Sequence, residues 1–222
     1  FLPLKTGVVE PAMERATVAA RRHTFGDQIQ QLRFDPNQIW STETAINELK
    51  KLNDYDLEYG EDPTFNLEGM SRVRAAVNVP LATNMAVLNF DQVAPMLRMR
   101  ALDVILVDPY FWGGITQCKK LAAVAETFGF GLAIHSDREL GIGMTASLNL
   151  WATTPSLCHK YDSHYAFQVD DIITEPLRWK NGSVSLPKGP GLGVEIDREK
   201  LEKYHRLYLK KGDEIEFFDP NR

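Results

Sequence analysis

An α/β fold built as a (β/α) barrel is what this sequence predicts, on three observations. Short apolar runs alternate with longer segments of helical spacing, the pattern of βαβ units around a parallel sheet buried on both faces. Five of the apolar runs end on a polar side chain, at Asp35, Glu61, Asn84, Asp108 and His135. These ends recur every 23 to 27 residues, one βα unit each time. In a barrel all five sit at the C-terminal rim of adjacent strands, around one mouth, where barrel active sites lie. A doubly wound sheet is the competing arrangement, and five unrelated turn signals are the bland one.

The elements follow in order. FLPLKTG reads as a strand already under way, with no start signal before it, which gives the expectation of a chain that begins inside a domain. After the strand LRFDPN comes STETAINELKKLND, with Ser41 as N-cap and Ala45, Leu49 and Leu52 as an apolar face at helical spacing. LEYGED and PLATN read as strands, and NLEGMSRVRAAVN and FDQVAPMLRMR as the helices after them. Pro95 is expected near the first turn of its helix or at a kink. VILVDP, GITQCKKLAAVAETFG, GLAIHS and LGIGMTASLNLWATT continue the alternation, and KYDSHYAF reads as the last barrel strand. PLRWKNGSVSLP is a hairpin turning at Asn181-Gly182. The final helix starts at Asp197 and ends near Gly212, with Leu201, Tyr204 and Tyr208 as its buried face. The expected division is a partial barrel over residues 1–175 that carries the rim. Residues 176–222 then form a hairpin, loop and helix packed upon it.

The 222 residues can bury a sizeable core. A net charge of −5 with scattered basic residues argues against nucleic acid or an anionic membrane as partner. No apolar run approaches the roughly 20 residues that span a bilayer. Cys118 and Cys158 fall in helix-like stretches and read as buried free thiols of a reducing, cytoplasmic compartment.

Asp35, Glu61 and Asn84 offer two carboxylates and an amide oxygen from consecutive strand ends. Oxygen-only ligands favour a hard cation, and few protein ligands with room for water and substrate suit Mg²⁺. Three solvated or hydrogen-bonded loop residues are the alternative. Asp108 and His135 end neighbouring strands about 5 Å apart, so the carboxylate can orient the imidazole and raise its basicity. His23, His159 and His205 read as structural histidines. Lys5 ends the first run, across the mouth from His135. Two candidate bases flanking a metal suggest abstraction of a proton next to a carboxylate, with the metal stabilising the enediolate.

The motifs LKTGVV, FDPNQIW, YGEDP, LATNM, VDPYFW, HSD and PKGPGLGVEID run from Leu4 to Asp197. In that order they resemble the enolase superfamily, most closely glucarate dehydratases and related acid-sugar dehydratases. The resemblance implies a TIM-type (β/α)7β barrel, here without its first strand and without the N-terminal α+β capping domain. It implies Mg²⁺ on Asp35, Glu61 and Asn84, an Asp108–His135 catalytic dyad, and Lys5 as the opposing base. Asn37, Asp137 and His164 match substrate-binding positions, with Asp137 standing where such enzymes usually carry Asn. The implied substrate is a hexarate dicarboxylate such as D-glucarate, dehydrated to a keto-deoxy sugar acid. Homo-oligomers are usual among such enzymes. Two departures stand out: Pro3 replaces the first lysine of the Lys-x-Lys motif, and the C-terminal substrate-binding arginine has no clear counterpart. They sustain an alternative, a degenerate barrel that binds or interacts without catalysing.

Overall fold

The computed structural model describes residues 3–7, 10–136 and 138–212. Six parallel strands form one sheet: β1 (Pro3–Gly7), β2 (Gln31–Asp35), β3 (Tyr59–Glu61), β4 (Leu81–Thr83), β5 (Val104–Leu106) and β6 (Gly131–Ala133). They neighbour one another in chain order, β1-β2-β3-β4-β5-β6. A doubly wound sheet reverses its strand order at a switch point; this sheet has no reversal, which settles the choice in favour of the barrel-type order. The helices between the strands are α1 (Pro11–Phe25), α2 (Thr42–Leu52), α3 (Asn66–Ala76), α4 (Phe90–Met99) and α5 (Ile115–Phe128). After β6 come α6 (Gly141–Ala152), the antiparallel pair β7 (Trp179–Lys180) and β8 (Ser183–Val184), and α7 (Arg198–Lys211).

The chain divides into two compact units. One comprises Phe1–Val107, Lys120–Ala133 and Ser156–Lys160; the other comprises Asp108–Lys119, Ile134–Pro155 and Tyr161–Arg222. The first holds the whole six-stranded sheet. Alternate residues of a strand face opposite ways, and one face gathers Tyr59, Ala82, Val104, Leu106 and Ala133 into a buried cluster. On the same strands Leu32, Phe34, Leu81, Ile105 and Leu132 are also buried, as two-sided burial of a parallel sheet requires. Gly60 lies on the second face, where a Cβ would fall 2.6 Å from Cε1 of Phe34 and 3.5 Å from Leu49. Gly60→Ala is therefore expected to destabilise the protein by about 1–3 kcal/mol through overpacking, read from the urea midpoint.

The face that carries Tyr59 also holds a buried polar group, since Arg33 stands beside Tyr59 in register. Arg33 is 1% exposed. Its Nε donates to Glu58 Oε2 at 2.6 Å, its Nη2 donates to the carbonyl of Lys160 at 2.9 Å, and its guanidinium lies 4.7 Å from the Tyr59 ring centre. His159 Nδ1 meets the other Glu58 oxygen at 2.6 Å, and Gln31 donates to it at 2.9 Å. His159 is thus a structural histidine, as its sequence context suggested, whereas His23 and His205 are exposed. Burial raises the Glu58 pKa, but the hydrogen bonds from His159 and Arg33 outweigh it and hold the carboxyl below its ordinary range.

The helix signals act as the sequence suggested. The Ser41 hydroxyl accepts from the Thr44 N–H at 3.1 Å, and Ala45, Leu49 and Leu52 are fully buried. Asp197 caps α7 by accepting from the Lys200 N–H at 3.0 Å. The hairpin turns at Asn181 and Gly182, both at positive φ, 53° and 72°, as a two-residue type I′ turn requires.

Five expectations are corrected. The helix α1 was not anticipated: Glu10 caps it by accepting from Ala12 and Met13, Pro11 begins it, and Gly26 ends it. Of the two places expected for Pro95, the first turn is excluded, because it sits inside α4 beyond that turn. KYDSHYAF is no strand; its only regular piece is a short 3₁₀ turn over Tyr165–Phe167, while Leu157, just before it, bridges in parallel to Leu132. No residue of α7 is fully buried, and Tyr208 is 50% exposed. Cys118 is buried in α5, but Cys158 is exposed in irregular chain after α6. Burial pushes the Cys118 thiol up to about 12, with Asp108 adding to the shift, so this thiol is inert at neutral pH. Among the described residues no helix is long and apolar enough to cross a membrane.

Candidate active site

In the first unit the donor side chains come from three consecutive strand ends. Asp35 and Glu61 close β2 and β3, and Asn84 follows β4 by one residue. Each lies two residues beyond Arg33, Tyr59 or Ala82, so the alternation puts it one step further along the same face. All three are buried. Lys5, on β1 beside Arg33 in register, reaches both carboxylates. Its Nζ lies 3.0 Å from Asp35 Oδ2 and 2.7 Å from Glu61 Oε2. Two carboxylates thus converge on a point that already holds one positive charge. Among the described residues no group of three His, Cys, Asp or Glu side chains could hold a metal; the candidate set reaches three only with the amide of Asn84. Two buried carboxylates and an amide oxygen, with a cation between the carboxylates, fit a hard divalent ion such as Mg²⁺.

The two adjacent acids of YGEDP divide their work. Glu61 faces Lys5. Asp62 turns the other way, at φ 38°, and its carboxylate is saturated by neighbours. Oδ1 accepts from the Thr83 hydroxyl at 2.5 Å and from Gln38 Nε2 at 3.2 Å. Oδ2 accepts from the N–H groups of Asn84 at 2.8 Å and Met85 at 3.2 Å. Burial pushes its pKa up to about 6; the Thr83, Asn84 and Gln38 donors pull down, and Asp35 pushes further up. Sequence reasoning assigned Asp62 no role, because a turn carboxylate reads the same whether it faces water or a ring of donors. Asn37, a predicted substrate contact, is exposed at φ 52° and donates its N–H to Asp35 Oδ1 at 2.9 Å.

In the second unit Asp108 and His135 make the expected pair. Asp108 follows β5 by two residues, and His135 follows β6 by two. His135 Nδ1 lies 3.0 Å from Asp108 Oδ2, and its backbone N–H donates to Oδ1 at 2.8 Å. The carboxylate thus fixes both ends of the residue. With Nδ1–H donating to Asp108, Nε2 carries the ring's lone pair, the state of a general base. Burial pushes the Asp108 carboxyl up, and the hydrogen bonds and charge of His135 oppose this in part. The next residue, Ser136, accepts the backbone N–H of His164 at 2.8 Å and donates to Glu139 at 2.9 Å. His164 is itself exposed. Asp137 lies outside the described residues.

Residues 2–200 match the family described as Enolase C-terminal domain-like. This chain belongs to that family. The enolase-superfamily barrel domain read from the sequence is the fold class of its relatives. Over 206 residues the chain is 43% identical to a Streptomyces coelicolor protein named "probable glucarate dehydratase", covering 93% of this chain and 47% of that one. A solved isomerase from the same organism superposes with a TM-score of 0.89 at 43% identity, over 96% of this chain and 56% of that one. A solved enolase from Gibberella zeae, crystallised with magnesium, formate and sulfate, gives a TM-score of 0.89 at 41% identity, over 96% and 50% of the two chains. The chain spans about half the length of the relatives it matches.

Proposed function

We propose that this enolase-family chain is the catalytic part of a Mg²⁺-dependent hydro-lyase that dehydrates an acid sugar, D-glucarate or a related hexarate. The observation that carries the reading is the Lys5 ammonium held by both Asp35 and Glu61, two buried carboxylates from adjacent strands sharing one cationic point. A 43% identity to a "probable glucarate dehydratase" supports the substrate class.

Asp35, Glu61 and Asn84 would hold the ion, which when bound supplies positive charge for the substrate carboxylate as negative charge builds there. His135 Nε2 would take the proton α to a substrate carboxylate in one epimer. The C–H electron pair becomes the double bond of the enediolate. Collapse of the enediolate then breaks the β C–O bond, and the leaving hydroxyl departs as water on receiving a proton from His135. The enol ketonises to the keto-deoxy acid. Asp108 holds the imidazole and balances its charge when protonated. Lys5 serves the other epimer. As an ammonium paired with two carboxylates it is an acid, so it must lose its proton before it can act as a base. Pro3, in the place of the first lysine, removes a like charge that would favour that loss. His135 is therefore the principal base of this chain.

The test is incubation of the whole protein with D-glucarate and Mg²⁺, with keto acid trapped by semicarbazide. Keto acid is expected, and EDTA is expected to abolish it, with Mg²⁺ restoring the rate. Absence of keto acid from every hexarate offered would refute the reading.

A further inference from the structure

The buried carboxylate of Asp62 belongs to neither the donor set nor the dyad, yet it touches the chain beside both neighbouring donors. From the end of β3 it reaches across to the loop after β2 through Gln38 and to the end of β4 through Thr83, Asn84 and Met85. The backbone doubles these links: the Gln38 N–H donates to the Asp62 carbonyl at 2.7 Å, and the Asp62 N–H donates to the Ala82 carbonyl at 2.9 Å. The Thr83 hydroxyl extends the arrangement, accepting from the Met85 and Ala86 N–H groups at 3.1 and 2.8 Å while donating to Asp62. From these contacts we infer that Asp62, acting with Thr83, is a positioning residue for the cation site. It ties together the three strand ends that carry Asp35, Glu61 and Asn84, and it sets the Asn84 backbone by a direct hydrogen bond.

The physical reason is acceptor count. Four donors from two separate chain segments converge on two oxygens of one buried side chain. An Asn at this position keeps one acceptor and turns an NH₂ towards the donors of the other. The loop bearing Asn84 then loses its anchor, and the donors no longer arrive preorganised. Residues that orient ligands in this way change metal affinity by about 10–100-fold when replaced.

The inference rests on the cation reading given above, and its test separates the two. Mn²⁺ affinity is measured on the full chain by electron paramagnetic resonance titration, with circular dichroism and the melting temperature recorded in parallel. Asp62→Asn and Thr83→Val are expected to weaken Mn²⁺ binding by about 10–100-fold, while Thr83→Ser, which keeps the hydroxyl, retains parental affinity. A side chain that only stabilises the fold would lower the melting temperature and leave the affinity of the folded protein unchanged. Thr83→Val is the milder change and keeps the test open should Asp62→Asn not fold. A parent that binds Mn²⁺ together with a folded Thr83→Val of equal affinity would overturn the positioning role alone. A parent that binds no Mn²⁺ would overturn the cation reading and this inference with it.

Discussion

His135→Asn is expected to lower kcat/KM for hexarate dehydration by about 10²–10⁴-fold, the usual contribution of a positioned acid–base group. In the proposed reaction the imidazole acts twice, as base at the α-carbon and as acid at the leaving hydroxyl, so no other side chain of the dyad can replace it. Asn keeps a polar group of similar reach, and the backbone N–H of residue 135 keeps its bond to Asp108. The loss should therefore appear in kcat with the melting temperature little changed. Asp108→Asn should act in the same direction by a different route. Its carboxylate accepts both the ring Nδ1 and the backbone N–H, and an amide cannot accept both without turning its NH₂ towards one donor. Steady-state kinetics of both variants, with circular dichroism as the folding control, provide the check.

The second large effect is on stability. Glu58→Ala should cost about 3–5 kcal/mol, the scale for removing one partner of a buried ion pair. Arg33 is almost wholly buried, and Glu58 also binds His159 and Gln31. Removing it takes away at once the acceptor of the Arg33 Nε, the His159 ring and the Gln31 amide. The same pair predicts acid sensitivity. Glu58 has a folded pKa below its ordinary 4.5. Its contribution is therefore fully present above that value and is lost as pH falls through the lower folded pKa. Urea midpoints measured between neutral pH and pH 3 should fall steeply in the parent and less steeply in Glu58→Ala.

The strand ends were more legible in the sequence than the packing around them. The strand ends at Asp35, Glu61, Asn84, Asp108 and His135 could be read because a parallel sheet needs near-continuous apolar strands, and the first polar residue after each run marks its end. Helix starts were legible where a side chain does the capping, as at Ser41 and Asp197. The α1 start was missed although Glu10 and Pro11 carry the same kind of signal, because the apolar runs on either side drew the reading towards strands. KYDSHYAF misled because alternating aromatic residues imitate a strand, whereas the chain there turns through Tyr165. For α7 the period found part of the less exposed face: Leu201 and Tyr204 are half-buried together with Leu207, whereas Tyr208 is exposed. A period shows which residues share a face and says nothing about what covers them.

Long-range polar pairs were invisible for another reason. Nothing local distinguishes Glu58, which meets a histidine 101 residues away, from any other acid before a strand. Asp62 was hidden in the same way: its donors come from Gln38 and from Thr83 to Met85, and the pairing of β3 with β2 on one side and β4 on the other brings them together.

The central claim is that Asp35, Glu61 and Asn84 share one divalent ion. A crystal structure of the chain grown with Mg²⁺ tests it most directly. The account predicts one ion bound by both carboxylates and by the Asn84 amide oxygen at about 2.0–2.1 Å, with the Lys5 ammonium moved out from between Asp35 and Glu61. An ion bound elsewhere, or Lys5 still bridging the two carboxylates at saturating Mg²⁺, would contradict it.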